Sequence, residues 1–199
     1  MKLKSFSKIN LTLRVLNKLK NGMHNIETNS TLVNLFDEIT IKKNKKDIVL
    51  FKGKFKYKIN KKKNSVTESL QVLRKLKVLK SFYKIVIKKN IPVYAGLGGG
   101  TSNSASIIKY FLKNKFNEKL INICEKKIGS DFRLFLNNRS FQKKLGKVFK
   151  TKNNIHSSII IVFPNIYCKT KNIYNIVKHF SLSTGNHYLK KTDKKNFIK

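Results

Sequence analysis

A chain of 199 residues with 40% hydrophobic residues, among them Phe 14 and Tyr 7, is long enough for one substantial core and tight for two complete domains, and it is too apolar to remain disordered. Its formal net charge of +36 sets 45 Lys+Arg against 9 Asp+Glu. Arginine, the better tool for reading bases and gripping phosphate, supplies only Arg14, Arg74, Arg133 and Arg139, and the lysines are scattered, so the excess reads first as solvated surface and only second as a footprint for an anionic partner.

Cys124 and Cys168 stand far apart, without CxxC or Cys/His spacing, so neither a disulfide framework nor a metal site is expected and a reduced, cytoplasmic setting fits. The opening MKLKSFSKINLTLRVL has no uninterrupted apolar run, so neither a signal peptide nor a membrane span is expected there.

Residues 3–16 alternate apolar and polar types, which predicts a half-buried strand. A turn follows at Asn21-Gly22, and residues 26–42 return to β-branched strand character. DIVLF and KFKYKI, divided by Lys52-Gly53, read as a hairpin. Val66, Leu70, Leu73, Leu76 and Leu79 then form one helical stripe. A period-two strand over residues 82–89 runs into the stretch NIPVYAGLGGGTSNSAS. After it the spacing predicts a helix capped by Ser102 or Asn103, a second helix over 118–128, and two short strands around 140–150. SIIIVFP (158–164) reads as a buried strand, KTKNIYNIVKHF as a helix, and everything from Ser181 as a frayed tail. The mixed order of elements indicates an α+β fold.

The glycine stretch sits between a strand and a helix. Gly96, Gly98, Gly99 and Gly100 permit positive φ and leave the main chain bare, so backbone N–H groups and the helix N-terminus can receive phosphate oxygens. A Walker A loop would need lysine after Gly100, where Thr101 stands, and the dinucleotide pattern GxGxxG would need glycine at 101. From the glycines alone, a flexible strand-to-helix connection stays open as the plainer reading.

PVYAGLGGGTSNSAS resembles the ATP-binding motif of the GHMP kinases. Within that family, SKINLTLRVLNKLKNGMHNIET with LFDEITI, GSDFRLFL, and VFPNIYCKTKNIY resemble, in order, the further motifs of the branch acting on 4-diphosphocytidyl-2-C-methyl-D-erythritol. The resemblance spans residues 6–175. It implies a GHMP kinase fold: an N-terminal domain like domain 2 of ribosomal protein S5 over residues 1–154, and a ferredoxin-like C-terminal domain, incomplete here, over residues 155–199. It also implies an enzyme, a small-molecule kinase that uses ATP and Mg2+ to phosphorylate the 2-hydroxyl of that substrate on the non-mevalonate route to isoprenoid precursors.

The resemblance assigns residues to roles. Asp131 is the expected base for the hydroxyl proton, and Lys8 the cation beside it. Pro92, Gly96, Leu97, Gly98, Gly99, Gly100, Thr101 and Ser102 are the expected ATP-binding loop. Asn10, Met23, His24 and Thr170 are the expected substrate contacts, with His24 reading the cytosine. Met23 stands where the family usually carries an aromatic residue, and Arg133 where it carries proline or a small residue, which puts a cation near Asp131 in sequence. Read without the family, Asp131 is equally a helix cap, Lys8 a solvated surface lysine and His24 an ordinary turn histidine.

The family's second domain runs past Thr170 and Tyr174, with a further glycine motif, whereas Gly185 is the only glycine after position 146 here. The expectation is exposed apolar surface that a partner or a second copy, as in a homodimer, would cover. A non-catalytic remnant that still holds nucleotide, and a basic RNA-binding protein on an S5-like fold, stay open as alternatives.

Overall fold

Two long strands, β1 (Lys2–Lys18) and β2 (His24–Asn44), form an antiparallel hairpin in a computed structural model that describes residues 1–57, 59–151, 158–164, 166, 168 and 170–183. The turn between them is the one expected at Asn21-Gly22: Gly22 has φ +78, and the Leu19 and Gly22 amides donate to Met23 and Leu19 carbonyls at 2.7 and 2.9 Å. Such a hairpin would be marginal alone. Here β2 serves as the spine. Its outer half, Glu38–Asn44, pairs antiparallel with β4 (Phe82–Lys88), and its inner half, Thr28–Thr31, pairs with β5 (Arg139–Lys144). β6 (Lys147–Lys150) folds back on β5 across Gly146, and β3 (Ile48–Lys52) runs parallel to β4. The path through the sheet is β3-β4-β2-β5-β6, with β1 on the other side of β2.

Three helices cover the sheet: α1 (Ser65–Lys75), α2 (Gly99–Leu112) and α3 (Glu118–Lys127). A 3-10 turn, Phe132–Leu136, closes the layer. Ile39, Ile41, Ile85 and Ile87 from the strands meet Leu70, Leu73, Ile107, Ile108 and Phe132 from above. Each of these is buried, so the apolar alternation of the strands and the stripe on the helices point at one another. α1 starts at a capping box, in which the Asn64 side chain accepts from Val66 and Thr67 amides at 3.0 Å and the Thr67 hydroxyl accepts from the Asn64 amide at 3.0 Å.

The structure departs from the sequence expectations at several elements. DIVLF and KFKYKI are not a hairpin: β3 takes β4 as a parallel partner, and the described residues after it form turns. Gly53, at φ +89, lets the chain pass so close to Lys89 that an added Cβ would lie 2.7 Å from the Lys89 carbonyl. α1 stops before Leu79, because Lys77 adopts φ +56, yet Leu79 remains buried beneath the helix end. α2 begins three residues before the expected cap: Gly98, at φ +66, is the N-cap, and Ser102 and Asn103 are buried inside the helix.

Residues 158–164 form no strand among the described residues, and Ile160 is 91% exposed. An apolar run becomes a strand only where a neighbouring strand pairs with it, and no described strand is paired with residues 158–164. The expected helix over 169–180 is limited to α4 (Thr170–Asn175). The domain boundary expected at residue 154 lies outside the described residues, as does the tail beyond residue 183; Ser181–Ser183 are held, with the Ser181 amide donating to the Val15 carbonyl at 2.8 Å. Among the described residues no helix is long and apolar enough to cross a membrane.

Cys124 lies on α3 inside the core, where burial first and the Glu125 charge second push its thiol up to about 12; Cys168 is exposed. A neutral-pH thiol reagent is therefore expected to modify one thiol per native chain rapidly, at Cys168, and the second only on unfolding. Rapid modification of both would mean that α3 does not stay docked.

Candidate functional site

The glycine stretch leaves β4 and crosses the sheet before entering α2. Positive φ at Tyr94, Gly96 and Gly98 folds the main chain into a tight loop, and the carbonyl of Leu97 accepts the Lys8 amide at 3.0 Å, which ties the loop to β1. Gly98 is needed on two counts. Its left-handed backbone disfavours a side chain, and a Cβ there would sit 2.5 Å from the Phe135 ring. At Gly96 a Cβ would meet nothing within 4 Å, so the loop is tight behind and open in front.

Two helix N-termini meet at this loop. The Ser65 hydroxyl, on the first residue of α1, donates to the Gly100 carbonyl at 2.9 Å, so the N-terminal ends of α1 and α2 abut. Both point the positive ends of their dipoles at the loop, but only α2 presents uncapped N–H groups there, since the Val66 and Thr67 amides of α1 are already taken by Asn64. Ser102, expected in the ATP-binding set, turns the other way: its hydroxyl donates to the Phe6 carbonyl at 2.5 Å and accepts from Ser5 at 2.8 Å, bolting α2 to β1. Thr101 faces Gly129, whose added Cβ would lie 3.4 Å from the threonine hydroxyl. Pro92 is buried at the entrance of the loop.

Lys8 and Asp131 come together across 123 residues of sequence. The Lys8 ammonium lies 3.2 Å from Asp131 Oδ2 and donates to Asn10 Oδ1 at 2.9 Å. Lys8 is buried, its side chain 5% exposed, whereas Asp131 keeps 38% of its side chain open to the cleft. Neither plain reading holds for them. Lys8 is not a solvated lysine, and Asp131, although it precedes the 3-10 turn, makes no side-chain cap bond to it. Lys8 and Asn10 share a side of β1, as strand parity requires.

Arg133 does not enter this centre. Its guanidinium turns to α3 and takes Glu118 at 2.8 and 2.9 Å, Glu125 at 3.1 Å and Asn122 at 3.1 Å, clamping the 3-10 turn to the helix. The cation that sequence puts beside Asp131 is thus spent on packing.

His24 opens β2 at the far end of the same cleft and is buried. Its ring stacks on Tyr174 of α4, with centroids 5.5 Å apart and planes 22° apart, and Phe180 flanks it at 6.4 Å. Met23 lies beside it, 38% exposed. Burial first, and the charge of Asp131 second, push the Tyr174 hydroxyl above its ordinary range, which links the aromatic end of the cleft to the carboxylate. Sequence reasoning did not select Tyr174, although it ends the VFPNIYCKTKNIY motif. Thr170 begins α4, and its side chain lies outside the described residues.

The loop, the Lys8–Asp131 pair and the His24 group line one continuous cleft of about 1410 Å³, larger than the roughly 300–1,000 Å³ of a pocket for a single small molecule. Room for two ligands side by side is what a group transfer requires. Among the described residues there is no group of three or more His, Cys, Asp or Glu placed to hold a metal ion.

Comparison with known proteins bears on the family and the fold. Residues 64–130 match the family model "GHMP kinases N terminal domain". A 4-diphosphocytidyl-2-C-methyl-D-erythritol kinase of Pelagibacter ubique is 36% identical over 187 residues, covering 90% of this chain and 66% of the relative. The kinase of the same name from Caldicellulosiruptor bescii is 33% identical over 180 residues, covering 87% of this chain and 63% of its own. The chain thus spans slightly under two thirds of the length of the curated relatives it matches. A crystal structure of 4-(cytidine 5'-diphospho)-2C-methyl-D-erythritol kinase superposes with a TM-score of 0.67 at 19% identity, over 92% of this chain and 67% of that one. A homoserine kinase from Cytophaga hutchinsonii superposes with a TM-score of 0.58 at 19% identity, over 91% and 62% of the two chains. With the hairpin, the glycine loop at the head of α2 and the matched sequence all in the same order, the chain belongs to the GHMP kinase family.

Proposed function

We propose that this chain transfers the γ-phosphoryl group of Mg-ATP to the 2-hydroxyl of 4-diphosphocytidyl-2-C-methyl-D-erythritol, a step toward isoprenoid precursors. The observation that carries the reading is the Lys8–Asp131 pair, set at 3.2 Å in the same cleft as the open face of the glycine loop. The curated relatives bear the name of this kinase.

Each group in the cleft has a part in that reaction. The bare main chain of Gly96 to Gly100 and the uncapped head of α2 receive the triphosphate, since charge-assisted bonds from backbone N–H suit phosphate oxygens. Asp131 accepts the hydroxyl proton as the substrate oxygen bonds to the γ-phosphorus, and the bond from that phosphorus to the bridging oxygen breaks to release ADP. Lys8, 3.2 Å from Asp131 Oδ2, offsets charge on the transferring group. Asn10 orients Lys8. His24, with Tyr174 and Phe180 around it, supplies an aromatic end suited to a pyrimidine, and Met23 sits at its rim. Magnesium would enter with the triphosphate and neutralise its charge, and among the described residues lining the cleft Asp131 is the one carboxylate that could approach it.

An ADP-release assay with purified chain tests this directly. ADP is expected only when Mg-ATP and the diphosphocytidyl substrate are both present. Stabilisation by Mg-ATP without any turnover would instead favour a nucleotide-binding protein without activity.

A further inference from the structure

Beneath the glycine loop lies an ion pair that the proposed chemistry does not use. Lys89 follows β4 and is 2% exposed, and its ammonium is bonded to Asp37 Oδ2 on β2, itself 0% exposed. The other Asp37 oxygen accepts the amides of Asn90 and Ile91 at 2.7 and 2.8 Å, so one carboxylate fixes both the lysine and the first two residues of the loop. The Lys89 ammonium reaches the underside of α2: it would lie 3.2 Å from a Cβ added at Gly99, the first residue of that helix. Lys89 also lines the main cleft.

Stability does not explain this arrangement. Removing two charges from water is expensive, and a buried pair is often matched or bettered by apolar side chains of the same volume. Burial draws the Lys89 ammonium below its ordinary range, against the pull of Asp37. The elements packed on the pair spend their own polar groups elsewhere: the Asn90 side chain donates to the Phe36 carbonyl at 3.0 Å, and the Lys89 amide donates to the Lys52 carbonyl at 2.7 Å. The pair sets the Lys89 ammonium directly behind the main chain where the loop enters α2 at Gly99.

We propose that Lys89 and Asp37 are positioning residues for polyphosphate: Asp37 holds the loop in its receiving shape, and Lys89 places its ammonium behind the amides at the head of α2. This rests on the reading of the loop as an ATP site. It differs from a purely structural role in one respect: the loss on removing the charge grows with the number of phosphates on the ligand.

The test titrates adenosine, ADP and ATP, the nucleotides with Mg2+, into wild type, Lys89→Met and the double variant Lys89→Met with Asp37→Asn, which buries no charge and keeps an acceptor for the Asn90 and Ile91 amides. The expected result is a loss of about tenfold or more in ATP affinity, less for ADP, and a change of under about twofold for adenosine. An equal loss for all three ligands, or no loss in either variant, overturns the proposal while leaving the ATP site in place. Wild type that fails to bind Mg-ATP overturns both. If Lys89→Met does not fold, the double variant decides: retained preference for ATP over adenosine at the wild-type ratio refutes the positioning role.

Discussion

Asp131→Asn is expected to lower the rate of the proposed phosphoryl transfer by about a thousandfold, roughly 4 kcal/mol of transition-state stabilisation, and to leave Mg-ATP binding within a few-fold of wild type. Asparagine keeps the shape of the side chain and can still accept from Lys8 at a separation like the present 3.2 Å. It cannot take the hydroxyl proton. It also removes the negative charge facing a buried ammonium whose other bond in the site goes to Asn10 at 2.9 Å. Single-turnover measurements at saturating ATP separate the two losses, because proton removal affects the chemical step and nucleotide binding does not depend on it. A variant within tenfold of wild type would show that Asp131 is not the base, and attention would pass to the cleft end around His24 and Tyr174.

Gly98→Ala is expected to be the most damaging of the single-methyl additions in the loop. The residue is at φ +66, where a side chain costs about 1–2 kcal/mol, and the new Cβ would sit 2.5 Å from Phe135, a core residue 3% exposed. Forcing a methyl group into packed surroundings adds about 1–3 kcal/mol. Together these predict a fall in melting temperature of roughly 5–15 °C for a chain of this size and loss of Mg-ATP binding, since α2 must shift to relieve the contact. Gly96→Ala is the control: it has a similar φ of +73 but meets nothing within 4 Å, so only the backbone cost of about 1 kcal/mol remains. Equal effects from the two substitutions would mean that the Phe135 contact is relieved without cost and that backbone conformation alone governs the loop.

Much of this protein could be read along the chain because the signals are local. Alternation over residues 3–16, the Asn-Gly turn, the stripe from Val66 to Leu73 and the period-two run before the loop all reappear as β1, the hairpin turn, α1 and β4. Lys8 and Asn10 share a side of one strand for the same reason, a repeat of two residues. The strand-loop-helix order around the glycines was likewise legible, and with it the expectation of a backbone cradle. What failed were the strand assignments that depended on a partner. KFKYKI alternates as a strand should, but β3 had a better neighbour in β4; SIIIVFP is apolar enough to be buried, but no described strand lies beside it. Ser102 reads as a cap or a phosphate contact, and its hydroxyl is committed to Ser5 and Phe6 instead.

The order of residues alone therefore settled the hairpin turn, the course of β1, β4 and most of α1, and that a glycine-rich loop precedes a helix, since backbone sterics and hydrophobic period act over a few neighbours. Apart from Lys8, which the family resemblance put beside Asp131, only the tertiary structure decided which of many charged side chains matter. Lys8 meets Asp131, Lys89 meets Asp37 beneath the loop, and Arg133 is drawn off to α3. A charge acquires its role from what shares its low-dielectric surroundings, and those surroundings are made by segments far apart in the chain.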